Sequence, residues 1–328
     1  MDFDIIAIGS ATQDVFLTSD SFRVVTDASF DAGQGICLPF GSKVGVSRVV
    51  FASGGGGTNA AVTFARQGYR TACIAAVGRD HNAPAILDEL RREGVDAKHF
   101  QTDGADITEY SVILVGAGGE RTILVYRGKT ELDARRIPWD SLRAKWMYVD
   151  SVGSLDVLES VVTWAKKTGT HLATNPGGRE IELGLAALAQ FWKDFDIVGV
   201  NQEEAARLTG IPYNEEDAIF RKMDDAIGGI FIMTKGRHGV LVSDGHFVYS
   251  ADIPNQEVVE RTGAGDAFHS GFLAEYMRTG NIEKAVQFGT ANASSVVMQF
   301  GAKAGILTKG ESGQWPLVAV AKRPLPKN

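Results

Sequence analysis

An aspartate follows a Gly-Ala-Gly run in VVERTGAGDAFHSGF, residues 258–272. The residues after it can form a helix, so the backbone amides of Gly263, Ala264, Gly265 and Asp266 can point together at a helix N terminus and hold negative charge. A turn of this kind is usually only a turn. An acid is a poor cap inside an anion-binding turn, however, unless its carboxylate has a chemical role. Asp266 is suited to take a proton from a hydroxyl while the amides hold the charge on a phosphoryl group in transfer.

Four consecutive glycines in SGGGGTNAAV, residues 53–62, form a second group of candidate residues. Gly55 and Gly56 leave the backbone open to a partner, and Asn59 lies near the start of a predicted helix. Asp14 follows the first predicted strand, where a carboxylate can accept hydrogen bonds from ligand hydroxyls. For the glycine run taken alone, a flexible turn with Asn59 as an ordinary cap is the preferred explanation.

Two further motifs each allow two interpretations. In VNQEEAARLTG, Asn201 and Glu204 lie three residues apart on the first turn of a predicted helix. They can organise water around a magnesium–phosphate complex, or they can form a capping box. In MTKGRHGV a predicted strand runs into Gly236 and Gly239, where a nucleotide can pass close to the backbone or a hairpin can turn.

The elements that position these residues alternate along the chain. Short apolar runs predict buried strands at 4–9, 71–78, 146–151, 170–176, 195–201 and 229–236. Helical patterns fall at 58–68, 83–94, 155–169, 183–194 and 201–210, and two more helices follow position 264. This alternation predicts one α/β domain over residues 1–328, with a mostly parallel sheet between helices.

Two segments do not fit this alternation. Residues 15–52 show no helical period, and residues 106–128 contain two β-rich runs joined by a glycine turn, the pattern of a hairpin. We expect them to form a small β-subdomain inserted into the body of the protein, where such a piece usually covers a site as a lid.

Composition excludes several classes of protein. The chain has 328 residues, 44% of them hydrophobic, and a formal net charge of −7, so its surface repels nucleic acid and anionic membranes. Cys37 and Cys73 form no metal-like cluster, which favours a reducing compartment. No apolar run has transmembrane length and the N terminus is acidic, so we expect a cytoplasmic protein.

Taken together and in this order, the motifs resemble those of the ribokinase-like (PfkB) family of sugar and nucleoside kinases. The likeness covers nearly the whole chain and rests on GGGGTNAAVTFARQG with AAVG, NQEE, TKGRHG, TGAGDAF, and ANASS followed by FGA. It implies a central, mostly parallel sheet flanked by helices, with a small β-sheet lid that makes a homodimer interface in many members. It also implies ATP and Mg²⁺ as cofactors and a small sugar or nucleoside as acceptor.

The resemblance assigns roles to individual residues. Asp266 would be the general base, with the backbone of Gly263, Ala264 and Gly265 as the anion hole. The acceptor-binding residues would be Asp14, Gly55, Gly56 and Asn59. Asn201 and Glu204 would order the phosphates and, indirectly, the Mg²⁺. The nucleotide pocket would be lined by Thr234, Gly236, Gly239 and Asn292.

The two residues before the TGAGD motif depart from the family pattern. Members usually carry Asp-Thr there, and this chain carries Glu260 and Arg261. In ribokinase-like members the acid helps to bind a monovalent cation, so Glu260 leaves activation by K⁺ open. Arg261 brings a fixed positive charge that either contacts the phosphoryl group or pairs with Glu260 or solvent; sequence position does not decide this.

The leading hypothesis is an ATP-dependent kinase that phosphorylates a primary hydroxyl of a sugar such as ribose or fructose. A nucleoside kinase is the alternative, because aromatic residues of the lid can stack on a base or form a dimer core, and two of them can close over the substrate. These residues are Phe16, Phe22, Phe40, Tyr110 and Tyr126. A non-catalytic relative that binds sugar or nucleotide is a remoter alternative, against which the intact Asp266 speaks.

Replacement of the predicted base tests the chemistry directly. We expect Asp266→Asn to lower turnover by about 10²- to 10⁴-fold, since the amide cannot accept the hydroxyl proton. ATP binding should change little, and a steady-state assay with a separate ATP-binding measurement distinguishes the two effects. Near-normal turnover of this variant would show that Asp266 is not the base.

Overall fold

The computed structural model describes residues 2–27, 30, 33–104, 106–116, 121–314 and 316–325. Its strands are β1 (Phe3–Gly9), β2 (Thr12–Thr18), β3 (Arg23–Thr26), β4 (Gln34–Cys37), β5 (Arg48–Gly54), β6 (Thr71–Ile74), β7 (Ala76–Gly78), β8 (Gln101–Asp103), β9 (Glu109–Val115), β10 (Arg121–Tyr126), β11 (Ala144–Asp150), β12 (His171–Asn175), β13 (Ile197–Asn201), β14 (Ile230–Thr234), β15 (Val240–Ser243), β16 (Phe247–Ala251) and β17 (Ala321–Pro324). Its helices are α1 (Gly56–Arg66), α2 (Asn82–Arg92), α3 (Leu155–Thr168), α4 (Gly178–Leu183), α5 (Leu185–Trp192), α6 (Gln202–Thr209), α7 (Glu216–Asp224), α8 (Ala264–Thr279) and α9 (Ile282–Val296).

Nine strands form the central sheet, in the order β17-β16-β15-β14-β13-β12-β11-β1-β6. In this sheet, β6, β1, β11, β12, β13 and β14 pair in parallel with their neighbours. Strands β15, β16 and β17 extend the sheet in antiparallel pairs. The prediction of a mostly parallel α/β sheet is therefore confirmed. Its register pairs Gly9 with Asp150, Asp150 with Asn175, and Asn201 with Thr234. Polar side chains consequently gather at the carboxyl edge of the sheet, where ligands bind in this architecture.

A separate sheet has the order β10-β9-β2-β5, and we call it the small sheet. The predicted hairpin is present as the antiparallel pair β9 and β10, with Tyr110 opposite Tyr126. Its glycine turn lies outside the described residues. The β-rich character predicted for 15–52 and 106–128 is confirmed, whereas the role of this sheet as a moving lid stays a prediction.

Two sequence-based expectations were wrong in detail. The run 71–78 forms two strands, because β6 is the edge of the central sheet and the chain beyond it pairs in parallel with β8 instead. Asp14 lies inside β2 of the small sheet, opposite Ala52, and not at the end of a strand of the central sheet. Its carboxylate therefore reaches the site from the small sheet.

Apolar side chains fill the space on both faces of the central sheet. The larger core joins the sheet to α3, α5, α6 and α7, and a second core packs α1, α8 and α9 against the other face. Phe64 of α1 and Phe272 of α8 are completely buried in the second core. Among the described residues, no helix is long and apolar enough to cross a membrane.

Candidate active site

Asp266 lies in the first turn of α8, which follows Gly263. Gly263 has a φ of 78°, and a Cβ there would lie 2.3 Å from Cβ of Ala302, so both the backbone conformation and the packing require glycine. The Ala264 amide donates to the Arg261 carbonyl at 3.3 Å. This amide of the predicted anion hole is thus engaged in a turn, while Gly265 is exposed.

Asn59 links the glycine run to the predicted base. It lies inside α1, whose N-cap is Gly55, so the interpretation of Asn59 as an ordinary cap is wrong. Its side chain is 3% exposed, and Nδ2 donates to Oδ2 of Asp266 at 2.7 Å. The amide oxygen of Asn59 accepts from Nζ of Lys303, also at 2.7 Å. The Asp266 carboxylate is therefore oriented by an amide that Lys303 in turn holds in place.

The glycine run makes room for two carboxylates. A Cβ on Gly56 would lie 1.7 Å from Oδ1 of Asp150, and one on Gly54 would lie 2.0 Å from Oδ2 of Asp14. Gly55 has a φ of 94°, outside the range of ordinary side chains. Packing within the protein thus explains these glycines in addition to any contact with a ligand.

Asp150, which sequence analysis missed, ends β11 and is 2% exposed. Its Oδ1 accepts from the Ser151 hydroxyl at 2.8 Å, while among the described residues no donor reaches Oδ2. Burial and the nearby charge of Asp266 raise the pKa of Asp150 well above its usual range. Its position at the end of a predicted strand was the one available signal.

Burial also raises the pKa of Asp266. The hydrogen bond from Asn59 and the charge of Lys303 act in the opposite direction, and the charge of Asp14 raises the pKa further. Asp14 is 5% exposed, and burial raises its pKa as well. The site therefore concentrates negative charge, which favours protonation of one carboxyl group or binding of a cation.

A cavity of about 230 Å³ lies at the carboxyl edge of the sheet. It is lined by Asp150, Ser151, Asn175, Pro176, Gly177, Asn201, Glu204, Thr234, Gly265, Asp266 and His269. The structure thus brings together five predicted residues: Asn201, Glu204, Thr234, Gly265 and Asp266. A larger cavity of about 910 Å³, beside Trp146, His171 and Asp196, contains none of them and lies at the opposite edge.

Asn201 and Glu204 form a capping box, as one of the two interpretations predicted. The Glu204 amide donates to Oδ1 of Asn201, and the Asn201 amide donates to Oε2 of Glu204, both at 2.9 Å. Glu204 nevertheless lines the cavity, and burial raises its pKa to about 7 despite the hydrogen bond from Asn201. A capping box is therefore compatible with the other interpretation, in which these residues organise water around a magnesium–phosphate complex.

Three residues predicted for the nucleotide pocket lie outside this cavity. Gly236 has a φ of 54°, and no other atom lies within 4 Å of the point that a Cβ would occupy, so the space beside it is open. Gly239 packs closely, because a Cβ there would lie 2.0 Å from the Ala251 carbonyl oxygen. Asn292 is fully buried; it donates to the Ala267 carbonyl and accepts from the Leu307 amide. Its place in this structure is therefore internal, which corrects the prediction that it lines the pocket.

His269 also lines the cavity. It is 4% exposed, and Nδ1 lies 3.0 Å from the Gly265 carbonyl oxygen. Burial lowers its pKa to about 4, so the ring is neutral and Nδ1 donates to that carbonyl. Nε2 is then an acceptor, and within the described part of the chain it has no hydrogen-bond partner.

Glu260 is 1% exposed beside the start of α8. Its Oε1 accepts from the Thr262 amide at 2.6 Å and lies 3.5 Å from Nε of Arg121 on the small sheet. Among the described residues no donor reaches Oε2. Arg261 is half-buried next to it. Within the described residues, no three His, Cys, Asp or Glu side chains form a metal-binding group.

Comparison with known proteins places this geometry in context. The profile of the pfkB family carbohydrate kinases matches residues 3–309. Ribokinase from Haemophilus influenzae is 26% identical, over 87% of this chain and 95% of that protein. A nucleoside kinase from Methanothermobacter thermautotrophicus is 23% identical, over 95% of this chain and 94% of that protein.

Solved structures show the same fold. Arabidopsis thaliana ribokinase, complexed with ribose and ATP, superposes with a TM-score of 0.73 at 19% identity, over 94% of this chain and 96% of that one. The prediction of a ribokinase-like fold is confirmed. Because the family profile covers nearly the whole chain, including every strand end that lines the cavity, this chain belongs to the pfkB family of carbohydrate kinases. These enzymes are phosphotransferases with a hydroxyl group as acceptor.

Proposed function

We propose that the protein transfers the γ-phosphoryl group of ATP to a primary hydroxyl of a small sugar such as ribose or fructose. The observation that carries this proposal is the position of Asp266. Its carboxylate lies at the N terminus of a 16-residue helix, in a cavity, with one oxygen held by Asn59 at 2.7 Å. A base and a site for negative charge are thus adjacent.

The mechanism follows from this geometry. Because Asn59 donates to Oδ2, Oδ1 of Asp266 is left to accept the proton of the attacking hydroxyl. The hydroxyl oxygen then bonds to the γ-phosphorus as the bond to ADP breaks. The helix N terminus and the backbone of Gly263 and Gly265 stabilise charge on the phosphoryl oxygens. Positioning of the reacting groups provides most of the rate acceleration, because phosphoryl transfer requires little covalent chemistry from the protein.

The donor side is assigned to the cavity around Glu204 and Thr234. Carboxylate oxygens suit Mg²⁺, a hard cation that keeps several water ligands and binds mainly through phosphates. Glu204 lines the cavity, so its carboxylate fits such an ion. Glu204 would hold it through water, and the ion would neutralise the phosphates. Open space beside Gly236 is available to the nucleotide, and Arg261 is assigned to the phosphate side.

The acceptor side favours a sugar over a nucleoside. Asp14, Asp150 and Asn59 surround Asp266 with groups that hydrogen-bond to hydroxyls. Phe16 is 1% exposed in the interior of the small sheet, and the Tyr126 hydroxyl donates to Asp106. Phe16 is therefore too buried to offer a stacking surface to a base.

We propose that the residues around Glu260 make a bound monovalent cation unnecessary. The guanidinium of Arg121 already lies 3.5 Å from that carboxylate and is permanently charged. We propose that Arg121 provides the positive charge that K⁺ would otherwise bring. Turnover should then be the same in potassium chloride and in tetramethylammonium chloride.

An assay of ADP release across free sugars, sugar phosphates and nucleosides, run in both salts, tests these proposals. We expect turnover with a free sugar, independent of the salt. Turnover with nucleosides alone would replace the proposal with a nucleoside kinase. Binding of ATP and acceptor without product would indicate a non-catalytic relative, and a strict need for K⁺ would overturn the role given to Arg121.

Glu204→Gln separates the role of this residue near Mg²⁺ from its role as a helix cap. Glutamine still accepts from the Asn201 amide, so α6 should keep its capping box. The folded-state pKa of Glu204, about 7, exceeds the unfolded value near ~4.3, so ionised Glu204 destabilises the fold above pH 7. The variant should therefore melt higher than wild type at pH 8, and the difference should vanish as the pH falls below about 4.

The same variant should need more Mg²⁺ for half-maximal turnover. Glu203→Gln is the matched control, since Glu203 is the exposed neighbour and pairs only with Arg207 among the described residues. A melting difference that does not change with pH would contradict the assignment of the raised pKa to Glu204.

We also propose that the protein forms a homodimer through the small sheet. Large apolar side chains on its strands are exposed, among them Phe51 at 70% and Leu124 at 56%. We expect Phe51→Asp to lower the solution mass, measured by light scattering, from dimer to monomer. Tyr213→Asp, at an exposed position outside the small sheet, should leave the mass unchanged. A monomeric wild type would contradict the proposal.

A further inference from the structure

Lys303 is buried beneath the site, in the segment that follows α9. The residue is 4% exposed. Its Nζ donates to the Ser53 carbonyl at 3.0 Å and to Oδ1 of Asn59 at 2.7 Å. Burial of an ammonium group is costly unless charges and hydrogen bonds compensate it. The fold therefore places a cation, at a cost in stability, directly behind the residue that contacts Asp266.

The ammonium group decides which way the Asn59 amide faces. Lysine is only a donor, so the amide oxygen of Asn59 must lie toward Lys303 and the amide nitrogen toward Asp266. The two hydrogen bonds, each 2.7 Å long, run in series from Lys303 through Asn59 to Oδ2 of Asp266. In the reversed orientation the amide oxygen would face the carboxylate, and both contacts would be repulsive.

The ammonium group of Lys303 lies among several acidic groups and opposes their effect on the pKa of Asp266. Groups on several elements act on Asp266 or are acted on by it: Asp14 of β2, Tyr148 and Asp150 of β11 and Glu204 of α6. The neutral His269 of α8 lines the same cavity. Lys303 in turn faces Glu89, Asp14, Asp266 and Cys73. Among the groups that shift the pKa of Asp266, Lys303 is the positive one.

We propose that Lys303 is a positioning residue for phosphoryl transfer, which fixes the Asn59 amide so that Asp266 presents one oxygen to the acceptor hydroxyl. Its charge also favours the ionised form of Asp266, the form that accepts the proton. This inference rests on the proposed role of Asp266 as the base. Lys303 is a buried charge that lies outside the sequence motifs around Asp266.

Two variants separate the charge from the hydrogen bond. Lys303→Met removes both, and Lys303→Gln keeps a donor but no charge. For both we expect the acid limb of the pH profile of kcat/KM for the acceptor to move to higher pH, by about one to three pH units. The sign follows because loss of a neighbouring cation raises the pKa of the base, which must be ionised to act. Lys303→Met should also lose turnover above the limb, and Lys303→Gln should retain more of it.

Lys309→Met is the matched control, because Lys309 is exposed six positions further along the chain. It should show the profile of the wild type. Thermal melting verifies that each variant is folded; if Lys303→Met does not fold, the acid limb of Lys303→Gln decides. A folded Lys303 variant with the wild-type limb would overturn the inference. Normal turnover of Asp266→Asn would instead overturn the proposed function, so the two failures are distinguishable.

Discussion

Asn59 and Asp266 are joined by a 2.7 Å hydrogen bond although 207 positions separate them in the chain. One turn further along each helix, the hydroxyls of Thr63 and Ser270 lie 2.9 Å apart, so the same faces of α1 and α8 stay in contact. Beneath them Phe64 and Phe272 lie in one core. The position of the Asp266 carboxylate is thus set by helix packing, and the rest of the candidate site is arranged around this pair of helices.

The site also concentrates charge that the fold does not need. Asp14 and Asp150 are nearly fully buried, and burial raises the pKa of each. Groups that destabilise a fold in this way are typical of functional sites, where local energy is given up for chemistry. In the proposed function, a cation bound with the phosphates and the hydroxyls of an acceptor would be the partners of these oxygens.

The sequence was informative where function depends on local pattern. Alternating strands and helices predicted the sheet, and the glycine motifs located Asp266 and Asn59. Asp150 and Lys303 were missed because their importance arises from parallel register and from contacts across 244 positions, which no local period encodes. Asn292 shows the opposite failure: a residue type at a motif position suggested ligand contact, whereas both its polar atoms satisfy backbone groups.

Two of the connections between the small sheet and the body are very short. Only Ser10 and Ala11 separate β1 from β2, and Gly55 alone separates β5 from α1. The Gly56 amide donates to the Ser10 hydroxyl at 3.0 Å, so these two connections meet at one point. A strand of seven residues is about 23 Å long. A rotation of the small sheet by a few degrees about this point would displace the far end of such a strand by more than an ångström.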